Sequence, residues 1–141
     1  MFEYPIDLKK ETNGAWSVSC PDVPELHTFG ETKDEAIHNA NEALEVALSF
    51  YVEKWKPLPK ASPQGRHRAY AYPSIKAMLK LAIYKAMLDH KVRRVDLAKR
   101  LNVAPVQVDR MLDLTNSSRI EQLDAALQAM GQRAIFELEP A

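Results

Sequence analysis

The stretch CPDVPELHTFGETKDEAIHNANEAL, Cys20 to Leu44, restricts this chain more than any other. Two prolines break it at the start, Gly30 follows a short apolar run, and a helix must begin at once. Thr32 and Glu35 have the T-x-x-E spacing of a capping box, in which hydroxyl and carboxylate each accept from the other's backbone N–H. Asp34 and Glu35 add negative charge at the positive end of the helix dipole. Ile37, Ala40, Leu44, Ala47, Leu48 and Tyr51 then recur at three- and four-residue steps, one face of a long α-helix.

That helix needs a surface to cover, and the residues before it supply one. Phe2, Tyr4, Ile6 and Leu8 alternate with Glu3, Pro5, Asp7 and Lys9, which predicts a half-buried strand. Pro5 cannot donate to a ladder, so it predicts an edge or an unpaired position. Asn13-Gly14 predicts a hairpin with a type I′ turn. The return strand puts Trp16, Val18 and Cys20 on one face and Ser17 and Ser19 on the other, and Leu26 to Gly30 reads as a third strand. Three strands under one helix make a small α+β layer. Cys20, the only cysteine, cannot form an internal disulfide and reads as a small buried residue at a strand end.

Pro57, Pro59 and Pro63, with Lys60, Ser62 and Gly65, stop regular structure. Ala69 to Tyr72 is a plausible fourth strand, and the domain boundary is expected near Pro73-Ser74, giving domains 1–73 and 74–141. Ser74 is a good N-cap for an amphipathic helix carrying Ile75, Met78, Leu79, Ala82, Ile83 and Ala86. Two short helices follow, Arg94 to Leu101 and Pro105 to Asp113, broken at Asn102-Val103-Ala104. Leu97, Ala98, Leu101, Val103, Val108 and Met111 form their expected core, and Asn102 tolerates a left-handed turn. Pro105 suits a first helical position. Ser118 and Glu121 predict a second capping box, and Ile120, Leu123, Leu127 and Met130 turn that helix inward. Gly131 suits a left-handed cap at its end. Ala134 to Glu139 alternates and reads as a final strand.

Net charge is zero, but residues 1–62 carry 6 Lys+Arg against 11 Asp+Glu, and residues 63–141 carry 13 against 8. An acidic front and a basic back suggest two different partners, a basic protein and a nucleic acid. No apolar run approaches the ~20 residues that span a membrane, and no basic-then-apolar leader opens the chain, so a cytoplasmic protein is expected.

The ordered set Pro21, Asp22, Pro24, Thr28, Gly30, Thr32, Glu35 and Ala36 resembles the signature of the HicB-type antitoxins of HicA–HicB toxin–antitoxin pairs. The resemblance runs on through Pro57–Pro63 into a C-terminal helix-turn-helix of repressor type. It implies a partial ribonuclease-H-like sheet that the fourth strand joins, with an N-terminal domain that covers a HicA-like mRNA-cleaving toxin. It also implies a C-terminal domain that dimerises and binds the operator of its own genes. Toxin contacts are expected at Asp22 and Glu25. The repressor-type geometry lays the second helix of the motif in the major groove. Base contacts then fall to Pro105, Val106, Gln107, Asp109 and Arg110, with Gln107 suited to adenine and Arg110 to guanine. Phosphate contacts fall to Arg94, Lys99, Ser117 and Arg119. Arg93 and Ala104 stand where capping hydroxyls are usual, and Asp109 and Asp113 bring negative charge near a phosphate backbone. A helical domain that dimerises without touching DNA is the plain alternative to this assignment.

The last strand, if unpaired, would expose its backbone together with Ile135, Phe136 and Leu138, so a homodimer through that strand is expected. A tetramer follows if the N-terminal domains also pair. Catalysis has little support. Asp7, Asp22, Glu35 and Glu42 are the carboxylates available for a metal nuclease, and nothing in the sequence forces them together. His27, His38, His67 and His90 lack metal-ligand spacing, and no phosphate loop or nucleophile elbow is present. Neither a metal nor another cofactor is expected. The competing class is a stand-alone DNA-binding transcriptional regulator whose N-terminal domain senses a small ligand.

Overall fold

The computed structural model describes residues 2–63, 65 and 69–140; His67 lies outside them. The chain forms two compact units, residues 1–78 and 79–141.

The first unit contains β1 (Tyr4–Lys10), β2 (Trp16–Ser19), β3 (His27–Gly30), α1 (Lys33–Glu53) and β4 (Ala69–Ala71). The strands form one antiparallel sheet in the order β3-β2-β1-β4, so β4 does join the N-terminal sheet. Tyr4, Ile6, Val18 and Leu26 are buried with Ala36, Ala40, Leu44, Ala47, Leu48 and Val52 of α1, which packs along the sheet. Cys20 is buried beside them, its Sγ donating to the Pro5 carbonyl at 3.4 Å.

Pro5 lies in an interior strand and, of the two expected placements, takes the one left unpaired on its β2 side. It sits opposite Tyr70 of β4, while the β1–β2 ladder begins only at Asp7. In an antiparallel pair a residue's N–H and C=O point to the same side. The Pro5 carbonyl turns towards Cys20, so the missing N–H removes nothing from the β4 ladder. The hairpin also differs from expectation. A type I′ turn needs positive φ at both central residues, yet only Gly14 has it, at 88°. Gly14 N–H donates to Glu11 O at 3.0 Å and Asn13 Oδ1 accepts from Ala15 N–H at 3.0 Å. This is a three-residue loop, a type I turn followed by a left-handed glycine.

Helix α1 starts as the sequence predicts. Thr32 Oγ1 accepts from Glu35 N–H at 3.1 Å, one arm of the capping box. Gly30 is required by the approach of β3 to this first turn. A Cβ built there would lie 2.4 Å from Ala36 N and 2.8 Å from Ala36 Cα. At the other end, left-handed Trp55 closes the helix, with Lys56 N–H donating to Tyr51 O.

The helix α2 (Ile75–His90) begins at the end of the first unit, where Ser74 Oγ accepts from Ala77 N–H at 3.2 Å. Within the second unit it buries Leu81, Ile83, Tyr84 and Met87 fully and leaves Lys85, Asp89 and His90 exposed. Helices α3 (Arg94–Leu101) and α4 (Pro105–Leu112) pack on each other, and α3 also packs on α5 (Ile120–Ala129). Leu97, Ala98, Val108 and Met111 fill the α3–α4 contact as expected, but Val103 is exposed in the turn. Ile75 and Ile120, at the first turns of their helices, are exposed as well. Asn102 takes the left-handed conformation at φ 55°.

The second capping box is absent. Helix α5 begins one residue late for it, with Arg119 at the N-cap and no side-chain cap bond, while Ser118 is buried. Gly131 closes α5 as predicted, at φ 71°, with Gln132 N–H donating to Leu127 O and Gly131 N–H to Gln128 O. The strand expected over residues 134–139 is not formed; residues 132–140 have no regular structure. A strand needs a partner ladder, and none of the described strands lies in the second unit.

Candidate functional site

In the first unit the signature residues build a clasp. The Cys20–Leu26 turn buries Val23 and Leu26 and leaves Pro21, Pro24 and Glu25 outside. Asp22 accepts from Ser62 twice, Oδ2 from the backbone N–H at 2.7 Å and Oδ1 from the hydroxyl at 2.6 Å. Tyr4 donates its hydroxyl to Pro59 O at 2.7 Å. The proline-rich segment is therefore strapped to the sheet at two points. Glu25 accepts from the Tyr51 hydroxyl on α1, with Oε2 at 2.8 Å. Burial, then the bond to Glu25, pushes the Tyr51 phenol up to about 12. Burial does the same to Tyr4, also to about 12, and raises the Cys20 thiol.

Asp22 and Glu25, the expected toxin contacts, thus hold the turn in place as well as charging its surface. Their partners Ser62 and Tyr51 were not singled out as such in the sequence, because they lie 40 and 26 residues away. The sheet face away from α1 is open. Asp7, Ser19 and His27 stand in register across it, as do Lys9, Ser17 and Phe29, and Phe29 is 67% exposed on the edge strand. Among the described residues no group of three or more His, Cys, Asp or Glu side chains could hold a metal ion.

In the second unit α4 turns Val108, Met111 and Leu112 inward. Pro105, Val106, Asp109 and Arg110 consequently face solvent, and Gln107 is half-buried. Lys99 on α3 and Ser117 and Arg119 after α4 are also exposed. Arg94 does not stand alone: its Nε lies 3.2 Å from Asp109 Oδ1, an ion pair across the two short helices. The missing hydroxyl at Arg93 is replaced from the other direction. Asp96 Oδ2 accepts from Arg93 Nε at 3.2 Å and from the Arg93 backbone N–H at 3.0 Å; the side-chain bond, then the backbone one, holds the Asp96 carboxyl below its ordinary value. The Thr115 hydroxyl, then the Thr115 N–H, likewise lowers Asp113.

Sequence reasoning overlooked Lys80. It is 1% exposed in α2, and its Nζ donates to the carbonyls of Arg110 at 3.2 Å, Asp113 at 2.7 Å and Asn116 at 2.6 Å. The available signal was a cation set directly between Leu79 and Leu81.

Residues 3–82 match the family described as HicB_like antitoxin of bacterial toxin-antitoxin system. The chain is 36% identical over its whole length to Antitoxin HicB of Pseudomonas fluorescens (strain Pf0-1), covering 97% of that protein. It is 30% identical to Antitoxin HicB of Escherichia coli (strain K12), over 92% of this chain and 94% of that one. A crystal structure of the N-terminal domain of Burkholderia pseudomallei antitoxin HicB superposes on 52% of this chain, with 28% identity and a TM-score of 0.42. No described helix is long and apolar enough to cross a membrane. A family match over more than half of the chain, together with relatives named as antitoxins along nearly all of it, places this protein in the HicB-like antitoxin family.

Proposed function

We propose that the first unit neutralises a HicA-like, mRNA-cleaving toxin and that the second binds operator DNA, so that the antitoxin represses its own genes. The observation that carries this reading is the division of the chain: a sheet unit with one open face, carrying 9 Lys+Arg against 11 Asp+Glu over residues 1–78, followed by a helical unit, carrying 10 against 8 over residues 79–141, whose α4 turns Asp109 and Arg110 outward. An RNA-cleaving toxin has to present a basic surface to its substrate, and an acidic partner can compete for it. Contacts centre on the open sheet face and the Pro21–Leu26 turn, with Asp22 and Glu25 keyed into place by Ser62 and Tyr51.

On DNA, α4 enters the major groove, Arg110 and Gln107 read base edges, and Val106 meets a thymine methyl. Pro105 and Asp109 line the same surface. Lys99, Ser117 and Arg119 contact phosphates, and Arg94 joins them by exchanging its pair with Asp109. Two copies pair through residues 134–139, where Ile135, Phe136 and Leu138 are 79%, 68% and 95% exposed. Such a pairing satisfies the open backbone, covers apolar side chains, and presents two reading helices to a palindromic site.

The test has two arms. The intact chain is co-expressed with a HicA-like toxin, and growth is followed; it is also used to select duplexes from a random pool. Restored growth and a palindromic selected site are expected. Continued growth arrest with abundant folded antitoxin refutes the first half, and failure to enrich any duplex refutes the second. Arg110→Ala separates the two, relaxing one base position without affecting growth.

A further inference from the structure

Left-handed residues close four of the five described helices: Trp55 after α1, Lys91 after α2, Asn102 after α3 and Gly131 after α5. Helix α4 ends differently. Its C-cap Asp113 is extended, at φ −76° and ψ 108°, and no left-handed residue lies between it and α5. The last carbonyls of a helix have no intrahelical donor and must be satisfied from elsewhere. Here the Lys80 ammonium, 1% exposed, serves the Arg110 and Asp113 carbonyls and reaches on to Asn116 in the following turn. A cation at this place also complements the negative end of the helix dipole.

Burying an ammonium is expensive, and an apolar side chain of similar length would fill the same space more cheaply. What Met or Leu could not do is fix where the chain goes after α4. That course carries Asp113 to Asn116 and then directly into Ser117 and Arg119. We infer that Lys80 is a positioning residue for nucleic-acid recognition, setting the end of α4 and the phosphate-facing segment behind it; this rests on the DNA reading above. Lys80 touches no DNA itself. It acts through the Arg110 backbone, whose side chain reads a base, and through the turn that presents Ser117 and Arg119.

The experiment compares the full-length protein with Lys80→Met on a duplex that the intact protein selects from a random pool, and on a scrambled duplex. Titrations run at several salt concentrations and at a low temperature where circular dichroism shows both proteins folded. Expected is at least a tenfold loss on the selected duplex and a salt slope flatter by about one unit, from the lost Arg119 contact. Amide exchange over residues 113–119 should quicken while that of α3 holds. Lys80→Arg, which keeps charge and donors, should regain part of the loss. A role confined to stability would lower Tm and leave the affinity of the folded protein intact, so a loss below tenfold overturns the inference however far Tm falls. If Lys80→Met loses its helix content, Lys80→Gln, which keeps two donors on a shorter neutral arm, is judged by the same threshold. If the intact protein selects no duplex, the DNA reading fails at that earlier step and this inference falls with it.

Discussion

Gly30→Ala is expected to be among the most damaging single-methyl changes in the first unit. The added carbon would sit 2.4 Å from Ala36 N and 2.8 Å from both Ala36 Cα and Glu35 C, all backbone atoms. Ordinary contact begins at 3.4 Å, so β3 and α1 must part by about 1 Å. They are joined by the short link Glu31-Thr32 and held by Asn39 Nδ2 donating to Phe29 O at 2.9 Å. Forcing a methyl into a packed site costs about 1–3 kcal/mol, and a clash with immovable backbone belongs at the upper end. The smaller entropy of the unfolded Ala chain returns about 0.4–1 kcal/mol. A net loss of about 2 kcal/mol lowers the midpoint of a unit this size by roughly 10 °C. Trp16 and Trp55, the only tryptophans, both lie in the first unit, so tryptophan fluorescence during heating reports on it selectively. Gly131→Ala is the control, since a Cβ there meets nothing within 4 Å and the positive φ affects only the second unit. Adding Ala36→Gly should rescue nothing, because the obstruction is backbone. A fluorescence midpoint within 3 °C of the parent, or rescue by Ala36→Gly, would refute the close approach.

Tyr4, Tyr51 and Tyr84 have phenols pushed up to about 12, with burial the leading cause in each. Against an unfolded value near 10, their contribution is complete below pH 10 and lost as pH rises towards 12, so the urea midpoint should fall across that window; a flat profile contradicts the assignment. Asp22→Ala removes two bonds to a carboxylate and should cost on the order of 1–2 kcal/mol while speeding protease cleavage within residues 57–63; unchanged cleavage would show that the strap is held elsewhere. Truncation after Gly131 should leave a monomer at micromolar concentration in sedimentation, with operator binding weakened by loss of the second half-site; a persistent dimer would move the interface to α5. Asp109→Asn releases Arg94 and removes a negative charge from the α4 surface, so binding to scrambled duplexes should tighten in salt-dependent titrations while base preference at one position of the selected duplex changes; unchanged binding to both would remove Asp109 from the DNA-facing surface.

Periodicity and local chemistry carry most of the secondary structure of this chain. The T-x-x-E cap, the Ala/Leu stripe of α1, the left-handed Asn102 and the Gly131 closure all depend on neighbours within a few residues, and each is visible in one dimension. The signature Pro21 to Ala36 is equally local, and it brings with it the antitoxin family. Local reading failed where a choice depended on a distant partner. Pro5 read as an edge or an unpaired position, and that it takes the second, inside the sheet, is decided only by β2 and β4 pairing with different halves of β1. The tail has a strand's alternation but no ladder to join within its own unit, since hydrogen-bonding partners are not encoded in alternation. Asp22 and Glu25 read as surface charge, yet Ser62 and Tyr51 reach them only after the sheet and α1 are assembled. Lys80 is the clearest case. Its sequence neighbours say only that it lies between two leucines of a helix; that its ammonium meets carbonyls 30 or more residues away, at the end of another helix, is decided by packing alone.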